Sequence, residues 1–183
     1  MASQLAMLFI RSLKAPVVMT DLDQERVDKG VAYVHGEIDS SLAKGKITQD
    51  KANQLKALIT GSTSKEGFAD ADFVIEAVFE SQELKHQVFQ EIEDIVEPNA
   101  LLGSNTSTLP ITSLQEFSSR PADFIGLHFF SPVDRMKLVE IIRGEQTSQR
   151  TVERAYDLVQ QIRKLPILVN DGRGFYTSRV YGT

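Results

Sequence analysis

The residues best equipped for chemistry in this chain are His128 and Glu140, with the polar stretch Ser104-Asn105-Thr106-Ser107 upstream of them. His128 lies in one apolar run, Phe124 to Phe130, and Glu140 in another, Lys137 to Ile142. A turn-rich break, Ser131-Pro132-Val133-Asp134-Arg135, separates the two. Paired as an antiparallel hairpin centred on Asp134, the runs place position 128 opposite position 140, with both side chains on one face and within hydrogen-bonding reach. A carboxylate so placed fixes the imidazole tautomer and stabilises its protonated form, which is the equipment of a general base. A buried strand histidine that merely satisfies its ring nitrogen on a nearby carboxylate produces the same pattern, and these two residues alone leave both readings open.

Composition narrows the chemistry. The chain has no cysteine, which excludes disulfides, thiolate metal sites and thiol nucleophiles and suits a reducing compartment. Its three histidines, His35, His86 and His128, are scattered without metal-ligand spacing, so no metal is expected. A formal net charge of -5 argues against a nucleic-acid or anionic-membrane surface. At 183 residues and 42% hydrophobic content the chain can bury a core of ordinary single-domain size. The opening Met-Ala-Ser-Gln-Leu-Ala-Met-Leu-Phe-Ile has no basic n-region or small-residue cleavage site, and no stretch reaches the roughly 20 apolar residues of a membrane span. A cytoplasmic protein is expected.

The elements that must position these residues alternate between helical and strand-like patterns, which favours an α/β layer architecture. An amphipathic helix with Leu5, Leu8 and Phe9 on one stripe runs to Leu13, and Pro16 leads into the strand Val17-Val18-Met19, which ends at Thr20-Asp21. Val27, Val31, Val34, Ile38 and Leu42 then recur at helical spacing until Gly45, and Thr48 can cap a second helix through Ala52, Leu55 and Leu58. Residues 24 to 58 thus read as an antiparallel helical hairpin. A short strand is expected over Ile59 to Ser62 and a clearer one over Asp72 to Val78, followed by a helix carrying Leu84, Val88, Ile92 and Ile95. Leu101 and Leu102 lead into the Ser104 to Ser107 exit loop; after the hairpin, Ser148 can cap a helix and Leu165 to Val169 forms a last strand. Strands joined by helical crossovers imply a mainly parallel sheet, which binds ligands at the carboxyl ends of its strands. Asp21, Glu80 and the Ser104 to Ser107 loop each follow such a strand. An acidic residue at the position of Asp21 can accept both ribose hydroxyls of NAD, or can simply cap a helix.

Several segments in order resemble the NAD-binding domain of the 3-hydroxyacyl-CoA dehydrogenases, in particular the multifunctional fatty-acid β-oxidation type. They are Ser104-Asn-Thr-Ser107, Gly126-Leu-His-Phe-Phe130 with Pro132, Met136-Lys-Leu-Val-Glu-Ile-Ile-Arg143, and Val169-Asn-Asp171 with Gly174-Phe175 and Arg179. The resemblance spans Met1 to Thr183 and implies a Rossmann-like, doubly wound, mainly parallel sheet with the helical hairpin protruding beside an acyl-CoA channel. It implies that His128 takes the proton of the substrate 3-hydroxyl while hydride passes to the nicotinamide, that Glu140 orients it, and that Ser107 contacts both substrate and cofactor. It places Met1, Asp21, Val78, Phe79, Glu80, Lys85, Ser107 and Ser131 along NAD, and Ser178 with Ser107 on the substrate. The partners it implies are an acyl-CoA substrate and a homo-oligomer or a multifunctional β-oxidation enzyme.

The chain departs from that family in three places. Ser131 and Ser178 stand where asparagines are usual, and a hydroxyl reaches less far than an amide and cannot bridge two groups in the same way. The third departure concerns the first strand and its Gly-x-Gly-x-x-Gly turn, whose bare backbone admits a pyrophosphate to a helix N-terminus. Met1-Ala-Ser-Gln-Leu-Ala matches the helix just after the second glycine, so that strand and turn are expected to be missing, as is the family's helical C-terminal domain beyond Arg179. Residues 1–183 are therefore expected to form a fragment of the NAD-binding domain, weak or inactive in isolation. Two other functions stay open: a non-catalytic scaffold of the same fold, and a β-hydroxyacid dehydrogenase that does not use CoA.

Overall fold

A computed structural model describes residues 1–181. The chain divides into two compact units, Met1–Gly67 with Ser131–Arg135, and Phe68–Phe130 with the described residues from Met136 onward.

The first unit opens with α1 (Ala2–Leu13), whose Leu5, Ala6, Met7, Phe9 and Ile10 are buried. Strand β1 (Val17–Met19) follows, then α2 (Gln24–Ala43), α3 (Gln49–Lys56) and β2 (Ile59–Gly61). Both hairpin helices start on side-chain caps. Asp23 accepts the Arg26 amide at 2.8 Å and Thr48 the Lys51 amide at 3.2 Å, each satisfying a donor that the first turn leaves open. Gly45 turns the chain between the helices at φ 65°, a left-handed conformation that only glycine adopts at little cost. β1 and β2 pair in parallel, Val17 beside Ile59 and Met19 beside Gly61. The helical stripe read from the sequence is the core of this unit: Ile10, Val34, Ile38 and Ala52 are completely buried against one another. The segment Ser131–Arg135 joins this unit through Val133, whose amide donates to Gln4 Oε1 at 2.9 Å.

The second unit is a five-stranded sheet in the order β3 (Phe73–Glu76), β4 (Leu101–Ser104), β5 (Phe124–Phe129), β6 (Leu138–Arg143), β7 (Leu165–Asn170). Every neighbouring pair is parallel except β5 with β6. Helices α4 (Gln82–Ile92), α5 (Ile111–Gln115), α6 (Gln149–Gln161) and α7 (Thr177–Tyr181) accompany it. All six residues of β5 are buried, which explains a strand that reads as a continuous apolar run instead of an alternating one. Gly126 in its middle has no room for a side chain, since a Cβ there would meet Ile111 at 2.7 Å and Ile142 at 2.9 Å. The mainly parallel α/β architecture and the helical hairpin are as expected. The strand expected to reach Val78 stops at Glu76, because the Glu76 carboxylate accepts the Val78 amide at 2.6 Å and turns the backbone out of the ladder. Helices α5 and α7 were not expected; five residues each are too few to show a helical period.

Candidate active site

The hairpin register is the first determinant of the site. β5 and β6 pair antiparallel with His128 opposite Glu140, as the turn-centred reading requires. His128 Nδ1 lies 2.7 Å from Glu140 Oε2, with the imidazole 6% exposed and the glutamate completely buried. Glu140 is satisfied on every side: Oε1 accepts the amides of Tyr176 at 3.2 Å and Thr177 at 2.8 Å, and Oε2 also accepts the Thr177 hydroxyl at 2.9 Å. A carboxylate surrounded by donors acts as an acceptor, so the hydrogen belongs on Nδ1 and the Nε2 lone pair is left for an incoming proton. The rings of Phe130 and Phe175 flank the imidazole, with centroids 4.4 and 5.9 Å away. Phe175 has a positive φ of 48° beside Gly174 at 79°, a backbone that a bulky residue adopts only when its surroundings demand it. That double left-handed step delivers the start of α7 to Glu140.

The second determinant is the loop after β4. Glu80 gathers it: one oxygen accepts the Thr106 hydroxyl, the Ser107 amide at 2.9 Å, and the Thr108 amide and hydroxyl at 3.0 and 3.2 Å. Partial burial alone would raise the Glu80 carboxyl, but the hydrogen bonds from Thr106 and Thr108, the nearby Lys85 ammonium and the Ser107 amide outweigh it and hold the group at about 2. Behind the loop, Lys85 is 1% exposed and its Nζ sits 2.7 Å from Glu76 Oε1, 3.2 Å from the Val78 carbonyl and 3.4 Å from Glu80. Glu76 accepts the Ser104 hydroxyl on its other oxygen at 2.7 Å. Asn105 accepts the amide of Phe129, next to His128, at 2.9 Å, and Gly174 donates to the Thr108 carbonyl at 3.3 Å. The serine loop is thereby tied both to the strand of the histidine and to the segment that carries α7.

Of the residues singled out in the sequence, His128, Glu140, Ser107, Glu80, Lys85, Val78, Phe79 and Ser178 belong to the second unit. Ser107 is exposed and held by its amide, and Ser178 is half-buried in α7 beside Thr177. Lys85, expected along the cofactor, has its ammonium engaged by Glu76. Val78 and Phe79 are 36% and 74% exposed just beyond β3, an apolar pair open to a planar ligand. Met1, Asp21 and Ser131 belong to the first unit. Asp21, two residues beyond β1, is exposed and accepts the Leu22 amide at 2.7 Å on one oxygen, with Arg26 3.9 Å from that oxygen. Met1 is the N-cap of α1 and Ser131 lies in the cis Ser131-Pro132 turn. An exposed carboxylate at a strand end fits the diol of a nucleotide ribose. Glu76, Asn105 and Thr177 were given no role in the sequence; Glu76 left a signal as the one charge closing the apolar run Phe73-Val-Ile, while nothing local marks Thr177.

The family model for the 3-hydroxyacyl-CoA dehydrogenase NAD binding domain matches residues 1–172. Among curated proteins, the chain is 39% identical over 165 residues to the fatty acid oxidation complex subunit alpha of Psychrobacter cryohalolentis, covering 90% of this chain and 23% of that protein. It is 37% identical over 180 residues to the same subunit of Shewanella baltica, covering 98% of this chain and 26% of that protein. The chain thus spans about a quarter of the length of these curated relatives. Among solved structures, the (S)-3-hydroxybutyryl-CoA dehydrogenase of Ralstonia eutropha superposes with a TM-score of 0.90 at 39% identity, covering 98% of this chain and 63% of that one. The 3-hydroxybutyryl-CoA dehydrogenase of Escherichia coli superposes with a TM-score of 0.89 at 29% identity, covering 95% of this chain and 37% of that one.

Proposed function

The chain belongs to the 3-hydroxyacyl-CoA dehydrogenase NAD-binding domain family, and from that membership we propose that it carries the proton-transfer half of 3-hydroxyacyl-CoA oxidation in fatty-acid β-oxidation. The observation that carries the proposal is the buried 2.7 Å contact between His128 Nδ1 and Glu140. NAD, when bound, supplies the hydride acceptor. His128 takes the 3-hydroxyl proton on Nε2, and the Glu140 carboxylate stabilises the imidazolium that results. Ser107, exposed on a loop tied to the histidine strand, donates its hydroxyl toward the substrate oxygen and the nicotinamide end of the cofactor. Asp21 holds the adenosine ribose, Val78 and Phe79 offer apolar surface to the cofactor, and Glu80 with Lys85 shapes the loop around it. Met1 and Ser131 complete the cofactor contacts, and Ser178 joins Ser107 on the substrate. The setting in this proposal is the cytoplasm, as a homo-oligomer or as part of a multifunctional β-oxidation enzyme; the similarity to fatty acid oxidation complex alpha subunits supports the second of these.

The test is reduction of a short 3-ketoacyl-CoA by NADH in the protein that carries this domain. His128→Ala should lower turnover by about two to four orders of magnitude with NADH affinity, measured by calorimetric titration, nearly unchanged. Unchanged turnover removes His128 from the mechanism. The scaffold alternative requires turnover to be absent from the wild-type protein as well.

A further inference from the structure

Among the described residues two side chains hydrogen-bond Glu140, and both converge on the same oxygen. Oε2 faces His128 Nδ1 at 2.7 Å and the Thr177 hydroxyl at 2.9 Å, while Oε1 is taken by the amides of Tyr176 and Thr177. Thr177 is itself buried, at 6% exposure, so water does not readily substitute for its hydroxyl. We infer that Thr177 is a positioning residue for the base: its hydroxyl and amide clamp the two Glu140 oxygens, so that Oε2 points at His128 and the ring keeps Nε2 directed outward. The inference rests on the proposed role of the dyad and adds to it a residue outside the hairpin.

Three features make the clamp specific. The carboxylate is completely buried, so its orientation is set by its donors and not by solvent. A carboxyl group turns freely about its last side-chain bond, which is broad and roughly two-fold, and the two Oε1 amides alone permit the plane to tilt away from the imidazole. The hydroxyl at Oε2 supplies the second fixed point. Thr177 is also the first residue of α7 and follows the left-handed Gly174-Phe175 step, so its placement is dictated by backbone and not by a flexible side chain. The pair therefore depends on residues 36 and 37 positions beyond the carboxylate.

The experiment compares Thr177→Val, which keeps the shape and loses the hydroxyl, with Thr177→Ser, which keeps the hydroxyl, in the protein that carries this domain. Thr177→Val should lower kcat about 5- to 30-fold, leave KM and NADH affinity within about twofold, and Thr177→Ser should restore most of the loss. The second readout needs no turnover: the hydrogen-bonded Nδ1–H proton of His128, seen by NMR in the unliganded protein. It should stay sharp in the wild type and Thr177→Ser and broaden or vanish in Thr177→Val. A valine variant with the wild-type resonance and kcat overturns the inference, as does a serine variant as poor as valine. If valine fails to fold, the serine variant and Thr177→Ala, read by the same resonance, decide. If His128→Ala turns over normally while the resonance still responds to Thr177, the dyad's catalytic role fails and the clamp stands.

Discussion

Two carboxylates in the second unit, Glu140 and Glu80, are held by the same device and put to opposite uses. Each accepts several hydrogen bonds from a loop or helix start distant in sequence. Glu140 is completely buried and turns one oxygen to an imidazole, so its donors fix the orientation of a ring. Glu80 is partly exposed and accepts on one oxygen from backbone amides and hydroxyls of residues 106–108, so that oxygen fixes a loop. The difference lies in what each site can lose. A buried carboxylate leaves its donors without water when it is removed, whereas a partly exposed one is replaced by solvent at modest cost.

The largest effect that separates the two sites is expected from Glu140→Ala. It strands the Thr177 hydroxyl, two amides and His128 Nδ1 in a dry interior, so stability should fall by roughly 3–5 kcal/mol, read from the denaturation midpoint at constant slope. Turnover should fall with it, and the Nδ1–H resonance should disappear. A loss below about 1 kcal/mol would mean that water enters the hairpin and that the burial argument for the dyad is wrong.

Glu76→Gln comes next. The amide still fits and its oxygen can still accept from Lys85, but the buried ammonium loses its closest counter-charge and keeps Glu80, at 3.4 Å, as its carboxylate partner. Stability should drop by about 2–4 kcal/mol. The discriminating observation is where the damage stops. Amide exchange should quicken at residues 104–108 while the His128 resonance stays in place. If the His128 resonance is lost together with the loop, the two sites are one cooperative unit and the comparison fails.

The hairpin half of this comparison was legible in the sequence and the loop half only in outline. The register of His128 with Glu140 follows from two apolar runs about a turn, and the Thr48 and Ser148 caps follow from local hydrogen-bonding chemistry. The loop was marked as a strand exit, yet what holds it was not. Lys85 enters the sequence reading only through the resemblance, as a cofactor contact, because its partner Glu76 lies nine positions upstream on a strand, a separation that no helical period connects. The same partner ended β3 two residues early, a side-chain override of an apolar run that strand propensity cannot foresee. Thr177 is farther still, since its contact requires a left-handed step at Phe175, a residue type that gives no such signal.

The smallest expected effect concerns acid stability and isolates Glu80. Its carboxyl lies at about 2 in the folded chain against an ordinary 4.5, because the loop hydrogen bonds and Lys85 favour the charged form. A depressed folded value means that the unfolded chain binds the proton first as pH falls. The stabilisation is therefore complete above about pH 4.5 and disappears as pH falls through about 2. The side chain is 37% exposed, so solvent screening reduces the contribution to about 1 kcal/mol. Wild type should lose that much more stability than Glu80→Gln between pH 5 and pH 2, while above pH 5 the variant should be the less stable of the two. Parallel stability curves across the whole range would show that the loop is held by its own turn chemistry and that Glu80 is an accompaniment to it. That outcome would leave Glu140, of the two carboxylates compared, as the one whose hydrogen bonds govern what it touches.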